Sequence, residues 1–401
     1  MMRLSLLFVL VSILFFNCSA PESSTPTKKW YRGNLHTHSF WSDGNDFPEM
    51  IMDWYKTHDY DFIVLSDHNI LAEVEKWKTL SEKQEFIFDK YVAKYGKDHM
   101  ESRRDSLGRL EVKLKTLAEY SPMFNEPGEF LIIQSEEISD RFEDKPIHIN
   151  VTNVQELIKP QGGNSVSDVM QNNIDKVMEQ REQLNVPMFP HINHPNFIWA
   201  ITPDDMIQLS GERFFEVYNG HPQVHNYGDS LRPGMEALWD LVQTAYLKDG
   251  KPSIYGLATD DAHQYHEFTS KESNPGRGWV MVYTDSLSPE KIIEAMESGD
   301  FYATTGIVMK SISFDGKKLK VAVEPEENVT YKIQFFGSRD TEEGTQTGIL
   351  FDEQSGATGS YELKEGNLYV RAKIISSEPK ENPYQPGDMV EAWTQPVSST
   401  K

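Results

Sequence analysis

Two histidines separated by one residue, His36 and His38, open the part of the sequence that could carry chemistry. They follow a short apolar run, and Asp43 and Gly44 come five and six positions after His38. In a β-strand, residues i and i+2 point to the same face, so both imidazoles would project together from the end of a strand. Imidazole and carboxylate groups suit zinc, manganese or iron. The alternative is a pair of surface histidines beside a turn.

The other histidines favour the metal site, because they recur at strand ends. The chain has 12 histidines, and the six at or just beyond the end of a predicted strand are His36, His38, His68, His148, His194 and His263. The strands include the runs 61–69, 130–138 and 253–263, whose continuous apolar stretches are typical of strands buried on both faces. Ligand-binding groups of α/β barrels sit at the carboxyl ends of parallel strands. The pattern therefore predicts one site assembled from several strands.

Length and charge limit the possible classes of protein. A chain of 401 residues has room for two domains. Its formal charge is −23, with 62 acidic residues against 39 basic ones. This balance argues against nucleic acid as a partner, because binding to phosphate backbones needs a basic surface.

The first residues are typical of an export signal. Arg3 precedes an apolar run over 4–16 that is too short to span a membrane, and the run ends near Cys18, the single cysteine. This position resembles the lipid-modified cysteine of bacterial lipoproteins. We predict a lipoprotein-type signal peptide over 1–17, lipidation at Cys18 and a flexible tether over 18–29. The protein would then lie in a bacterial cell envelope, on the periplasmic or outer-membrane surface, with the anchor as its only membrane contact. The alternative is an ordinary secretory signal with an incidental cysteine.

The remaining chain divides into an α/β part and an all-β part. Strand and helix patterns alternate over 30–306, and seven or eight such units fit a barrel. The segment 70–128 interrupts them, with the spacing of two amphipathic helices joined near 95–97, and would either brace the domain or cap the site. Over 307–401, short alternating runs separated by turns predict a small β-sandwich, to which we assign no chemistry because it contains no histidine.

The histidine motifs resemble those of the PHP (polymerase and histidinol phosphatase) superfamily. They are His36-Thr-His38 with Asp43-Gly44, Asp67-His68-Asn69, Glu137-Ile-Ser, His194-Pro195-Asn196 and Asp261-Ala-His263. The segment 295–306 is similar to the CehA/McbA-type branch of uncharacterised hydrolases. The resemblance covers 30–306 and implies an α/β fold, a distorted (β/α)7 barrel of PHP type, followed here by the small all-β sandwich.

The resemblance also implies a set of ligands for divalent transition metals, up to three ions of zinc, manganese or iron. The first ion would be held by His36, His38, Glu137 and Asp261. Glu137 would bridge to a second ion, completed by His148 and His194. The third would be held by Asp43, His68 and His263. The family pattern chooses between neighbours in three places: Glu137 over Glu136, Asp261 over Asp260, and His194 over His191.

Five further residues are candidates to assist the reaction. Asp67 would orient a neighbouring ligand. His191 would orient a ligand or contact the substrate. Arg277 would contact an anionic substrate, unless it is simply a surface arginine. Tyr218 and Asn219 end a strand on the same rim and are candidate substrate contacts.

These features predict an exported metal-dependent hydrolase in which metal-activated water attacks the substrate. The favoured substrate is a small, anionic phosphate ester, because phosphoesterase activity is what the superfamily most often shows. The chain has neither a convincing Ser-His-Asp arrangement nor a phosphate-binding loop. One alternative is hydrolysis of carboxylic, amide or carbamate esters by the same water. The other is a non-catalytic surface binding lipoprotein.

Overall fold

The computed structural model describes residues 27–399. Before residue 305 its strands are β1 (Lys29–Asn34), β2 (Phe62–Leu65), β3 (Trp77–Thr79), β4 (Ser102–Arg104), β5 (Leu110–Lys113), β6 (Leu131–Phe142), β7 (Lys145–Thr152), β8 (Phe189–Ile192), β9 (Phe214–Asn219), β10 (Tyr255–Thr259), β11 (Trp279–Thr284) and β12 (Phe301–Thr304). The α-helices are α1 (Pro48–Thr57), α2 (Glu85–Tyr95), α3 (Leu117–Phe124), α4 (Val166–Leu184), α5 (Pro203–Ile207), α6 (Met235–Lys248) and α7 (Pro289–Glu297). Short 3-10 turns lie at Glu82–Gln84 and Lys97–His99.

The last part of the described chain consists of strands. They are β13 (Met309–Phe314), β14 (Lys318–Val323), β15 (Tyr331–Thr341), β16 (Gly344–Ser355), β17 (Thr358–Glu362), β18 (Asn367–Pro379) and β19 (Met389–Thr394). The fold is therefore mixed α/β, with helices confined to the part before residue 300.

One large mixed sheet runs through the molecule in the order β10-β9-β8-β7-β6-β2-β1-β11-β12-β19-β18-β15-β16. The pairs β1–β2, β2–β6, β8–β9 and β9–β10 are parallel. The pairs that involve β7 or β11 are antiparallel. Strand β2, Phe-Ile-Val-Leu, is buried at every position, as expected for a strand covered on both faces.

The segment that follows β1 lies against the segment that follows β10, although β10 is at the far end of the same sheet. The N–H of His38 donates to the carbonyl of Ala262 at 2.9 Å, and the N–H of Asp261 donates to the carbonyl of His36 at 3.0 Å. These bonds bring the chain beyond β10 alongside the chain beyond β1. Residues that follow strands distant in the sheet order therefore become neighbours.

Helices α4 and α7 are bounded by residues that favour helix ends. In α4, the Ser165 hydroxyl accepts the N–H of Asp168 at 3.0 Å, and Asn185 ends the helix in the left-handed conformation. Helix α7 begins with Ser288 as cap and Pro289 in its first turn. Both helices pack an apolar face against the sheet, and these buried faces contribute to the cores on either side of it.

The segment 70–128 differs from its prediction. It contains the helices α2 and α3, but between them lie β4 and β5, which form a small antiparallel sheet with β3. Leu110, Val112 and Leu114 are buried and alternate with half-buried residues. Leucines at 107, 110, 114 and 117 have helical spacing, but the same stretch also has a period of two, and a turn at Gly108 selects the strand. The prediction of two amphipathic helices joined near 95–97 is therefore wrong for the second one, and the first is limited to α2, because β3 takes the start of its predicted range.

The C-terminal strands form two sheets around one core, as the all-β prediction expected. The three-stranded sheet β13-β14-β17 shares the core with β15 and β18. However, β19 pairs with β12, so β15, β16, β18 and β19 belong to the large sheet. The predicted domain boundaries stay predictions.

Candidate metal centre

The predicted ligands meet at one end of the α/β part, where the strand ends converge. His36 and His38 follow β1, His68 follows β2, and His194 follows β8. The others are Glu137 on β6, His148 on β7, Asp261 and His263 beyond β10, and Asp43 on the loop before α1. The structure brings all nine together, and their roles as ligands stay a prediction.

Four donor atoms form the centre of this cluster. His36 Nε2 and His38 Nε2 are 3.1 Å apart. His36 Nε2 lies 3.5 Å from Glu137 Oε2 and 3.3 Å from Asp261 Oδ1. The corresponding distances from His38 Nε2 are 3.2 Å and 3.3 Å. Donors around a tetrahedral ion at about 2.0–2.1 Å are about 3.3–3.4 Å apart, so this spacing suits one transition metal ion.

The other carboxylate oxygen of Glu137 faces the second predicted group. His148 Nδ1 lies 2.9 Å from Glu137 Oε1, and His194 Nε2 lies 3.7 Å from the same atom. His194 Nε2 is also 3.8 Å from Asp261 Oδ2. Glu137 thus has one oxygen towards each group, which is the arrangement of a bridging carboxylate.

Asp43 lies between the two histidines of the third predicted group, His68 and His263, at the opening of the site. Its Oδ1 is 3.3 Å from His263 Nε2, and its Oδ2 is 3.5 Å from His68 Nε2. His38 Nδ1 lies 3.7 Å from Asp43 Oδ1, so the two ring nitrogens of His38 face different groups. The next residue must be glycine, since a Cβ on Gly44 would come within 2.4 Å of the His38 carbonyl oxygen.

The electrostatics of the cluster fit a cation. Burial alone would raise the pKa values of Glu137 and Asp261, but the surrounding imidazoles hold both well below their usual range. Burial and the neighbouring His263 lower the pKa of His38 to about 3, which leaves a neutral imidazole. His68 Nδ1 lies 2.8 Å from Glu137 Oε2, and His148 Nδ1 lies 2.9 Å from Glu137 Oε1. Although burial alone would lower the pKa of His36, the carboxylates of Asp261, Glu216 and Glu137 raise it well above its usual range. Buried carboxylates and imidazoles packed in this way make a cluster that could bind divalent metal ions.

The structure shows different partners for Glu136 and Glu137, and for Asp260 and Asp261. Only the family pattern chose between the members of these two pairs. Glu136 points away from the cluster and accepts the N–H of Ile158 at 2.7 Å. Asp260 accepts three main-chain N–H groups, of residues 276, 277 and 278, and the hydroxyl of Tyr55 at 2.8 Å. These contacts leave Glu137 and Asp261 facing the other donors.

Asp67 lies beside the cluster and bonds to the loop between two predicted ligands, and its role in orienting a ligand stays a prediction. It accepts the N–H and the hydroxyl of Ser39 at 2.9 and 2.7 Å, and the hydroxyl of Ser42 at 2.5 Å. These bonds fix the loop that joins His38 to Asp43. His191 is fully buried, with Nε2 3.6 Å from Glu216 Oε1, so of its two suggested roles only positioning fits the structure.

Three other predicted contacts are corrected by the structure. Arg277 is buried and uses its guanidinium to donate to the carbonyls of residues 220, 269 and 272 and to Asn382. It binds protein loops and leaves no N–H for a substrate. Tyr218 turns to the other face of the sheet and stacks on Trp393 at 5.9 Å. Asn219 is fully buried and donates to Glu216 at 2.7 Å and to Asp261 at 3.2 Å, so it supports a ligand.

Glu216 is a site residue that the sequence reading missed. It lies on β9 and is fully buried. Its Oε1 is 2.7 Å from His36 Nδ1 and accepts the hydroxyl of Thr259 at 2.8 Å. Its Oε2 accepts the N–H of His194 at 2.8 Å and the amide of Asn219. The signal was available, because one acid inside the apolar run 214–218 has to be satisfied when the strand is buried.

A hollow of about 790 Å³ opens over the cluster. Besides seven of the predicted ligands, its lining includes Phe197, His221, Gln223, Gln264 and Lys271. None of these five residues was singled out from the sequence. Lys271 is the one lysine or arginine among the lining residues that the structure describes.

The predicted signal peptide 1–17, Cys18 and the first part of the tether lie outside the described residues, and remain predictions. Within 27–399, no helix is long and apolar enough to cross a membrane.

Comparisons with known proteins found only distant structural similarity. No family model matches the chain, and no curated protein matches it. A solved structure from Bacteroides vulgatus, described as a two-domain protein containing a predicted PHP-like metal-dependent phosphoesterase, is similar with a TM-score of 0.40 and 15% identity, over 92% of this chain and 96% of that one. An amidohydrolase from Chromobacterium violaceum, with bound sulfate and no metal, is similar with a TM-score of 0.28 and 12% identity, over 58% of this chain and 87% of that one. At these scores neither similarity carries an argument, and the assignment of the site rests on its geometry.

Proposed function

We propose that this protein is a metal-dependent hydrolase of PHP type that acts on a small phosphate ester. One observation carries the proposal: the Nε2 atoms of His36 and His38 lie 3.1 Å apart, and each lies 3.2–3.5 Å from a buried oxygen of Glu137 and of Asp261, the spacing of donors around a metal ion. The cluster also contains several groups of three or more histidines and acids whose donor atoms all lie within 4.8 Å of one another, as the ligands of a metal ion do.

The fold that we propose for the α/β part is a distorted (β/α)7 barrel. Its strands would be β1, β2 and β6–β10. The bonds between the segments after β1 and β10 support closure of this set, and the antiparallel β7 supports the distortion. The branch of the superfamily would be the CehA/McbA type, on the residues 295–306.

The chemistry belongs to the ions and the positioning to the chain. When bound, divalent ions supply an activated water and positive charge for a transition state rich in oxygen. Glu137 and Asp261 would each reach two of the three groups of donors. Asp67, Asn219 and Glu216 hold the ligands in place. The hollow of about 790 Å³ has room for a substrate much larger than a phosphate group alone.

We further propose that the protein is exported and anchored through a lipid on Cys18, in the cell envelope of a bacterium. The apolar run 4–16 followed by this cysteine supports the proposal. A Cys18→Ala variant that still fractionated with membranes would contradict it.

The function is tested by metal analysis followed by a substrate panel. Protein purified without chelator should contain transition metal, or take up added manganese or zinc. It should then hydrolyse model phosphate monoesters or diesters faster than carboxylic, amide or carbamate esters. Turnover of the second set alone would replace the phosphoesterase by the alternative hydrolase, and bound metal without any turnover would favour a binding protein.

The matched variants for this test are His38→Ala and His58→Ala. His38 lies in the cluster, whereas His58 is an exposed residue at the end of α1. His38→Ala should lose metal and turnover while keeping its fold, as measured by circular dichroism. His58→Ala should keep both. Wild-type turnover in His38→Ala would contradict the site assignment.

A further inference from the structure

His221 lies in the hollow but belongs to none of the three groups of predicted ligands. It follows β9, and its own N–H donates to Asn219 Oδ1 at 2.7 Å. Its ring packs edge-on against Phe197 at 5.7 Å and against His263 at 5.6 Å, measured between ring centroids. The side chain is therefore held from several sides at the wall of the hollow.

The hydrogen bonding of the ring defines which nitrogen carries the proton. The main-chain N–H of Gln223 donates to His221 Nδ1 at 3.2 Å. Because a main-chain N–H can only donate, Nδ1 must accept, and the proton of the neutral ring lies on Nε2. Among the described residues, Nε2 has no hydrogen-bond acceptor. The structure thus presents a fixed, unused donor beside the cluster.

Two more donors face the same space. Lys271 lines the hollow without an ion-pair partner among the described residues. Gln264 accepts an amide N–H of Asn45 through its Oε1, which leaves its own NH2 group free to donate. Glu272 is the one lining carboxylate outside the cluster, and it is half-buried. The wall next to His221 is therefore suited to a ligand with acceptor oxygens and negative charge.

We propose that His221 is a substrate-contacting residue, whose Nε2–H donates to an oxygen of a tetrahedral oxyanion such as phosphate above the cluster. This inference rests on the proposed function, since the oxyanion would be the reacting group of the ester. His221 would hold an oxygen that faces the wall of the hollow.

The test uses inorganic phosphate as the probe and compares replacements that differ in one donor. In His221→Gln, the side-chain amide can place an N–H near the position of Nε2, whereas His221→Leu has no donor. Calorimetric titration of phosphate into the manganese- or zinc-loaded full-length protein should show about 10- to 100-fold weaker binding for His221→Leu, the usual loss for a hydrogen bond to a charged group. His221→Gln should stay within about 3-fold of wild type. Metal content should be unchanged in both, and His58→Leu serves as the matched control.

Several outcomes would overturn the inference. One is a wild-type phosphate affinity in His221→Leu. Another is the loss of a bound ion in His221→Leu, which would make His221 a metal ligand. The third is that the metal-loaded wild type binds no phosphate. If His221→Leu does not fold, His221→Asn takes its place, because the shorter amide does not reach the position of Nε2. Failure of the proposed function is distinguishable: a metal-loaded protein that binds phosphate through His221 but hydrolyses no ester would refute the function and leave the inference standing.

Discussion

Among single residues, Glu216 contacts ligands of two predicted metal groups, so removing its charge should weaken metal binding at both. Each of its carboxylate oxygens has two donors: His36 and Thr259 at one, His194 and Asn219 at the other. An amide in its place has one nitrogen that cannot accept. Whichever way Glu216→Gln orients its side chain, a pair of donors therefore faces another donor.

We expect Glu216→Gln to bind metal about 10- to 100-fold more weakly than wild type, the range seen when residues that orient a metal ligand are changed. Titration of the metal-free protein with zinc or manganese measures this. The matched control is Glu212→Gln, another buried glutamate near the start of the same strand. Equal affinities in wild type and Glu216→Gln would show that Glu216 does not orient His36 or His194.

Glu212 itself should make stability depend on pH. Burial raises its pKa to about 8, because Oε2 is buried without a partner, while Oε1 accepts the N–H of Arg213 at 2.8 Å. In the unfolded chain the same carboxyl has the ordinary glutamate pKa of about 4.3. Between these values the folded state holds a proton that the unfolded state has lost, so the free energy of unfolding falls as pH rises.

Glu212→Gln removes this dependence. Its free energy of unfolding, relative to wild type, should increase between pH 5 and pH 8, with a slope of up to about 1.4 kcal/mol per pH unit. Urea unfolding across this range measures the difference, and the exposed Glu327→Gln is the control. Parallel curves for wild type and Glu212→Gln would contradict the raised pKa.

Among the elements, the insertion 70–128, between β2 and β6, supports the site through β3 and the residue before it. Lys76 donates to the carbonyl of Trp41, and Lys78 donates to the carbonyl of Ser42 at 3.4 Å. These carbonyls belong to the loop that carries Asp43. Trp41 also packs with residues of the insertion in a shared core. These contacts favour the bracing role that the sequence left open beside a capping role.

Replacing Lys76 and Lys78 together by methionine should therefore loosen Asp43 without touching the four central donors. We expect the double variant to lose the ion of the Asp43 group first and to keep the one between His36 and His38. Metal stoichiometry by mass spectrometry of metals, at several metal concentrations, separates the two. Lys29 and Lys56 lie by another hollow and supply a control double variant. Loss of all ions at once would contradict the division of the site.

Some of these elements could be predicted from the sequence and others could not. Histidines at strand ends predicted the cluster, because alternating strands and helices force these ends together. Leu110 and Leu114 fit a helix and a strand equally well, so the insertion could not be read from spacing alone. Arg277 could not be placed either, since its partners at 220 and 382 are distant in sequence. Glu216 could have been found as an acid in a buried strand.

On the scale of the whole molecule, the C-terminal strands are joined to the α/β part by a buried ion pair as well as by the continuous sheet. Arg371 on β18 donates to Asp240 on α6 through Nε at 2.8 Å and Nη2 at 2.7 Å. The hydroxyl of Tyr369 donates to the same carboxylate at 2.7 Å. Both charged residues are buried, so neither charge is well solvated once its partner is removed.

Asp240→Ala should therefore lower the free energy of unfolding by about 3–5 kcal/mol, because it leaves the buried Arg371 guanidinium with only its longer contact of 3.4 Å to Glu236. Urea unfolding of the metal-free protein measures this loss. Glu294→Ala, which removes an exposed pair with Lys291 on α7, should cost at most about 1 kcal/mol. The replacement lies outside the metal cluster, so Asp240→Ala should bind as many ions as wild type under folding conditions. A loss as small as that of Glu294→Ala would mean that the pair of Asp240 and Arg371 is not needed to hold the two parts together.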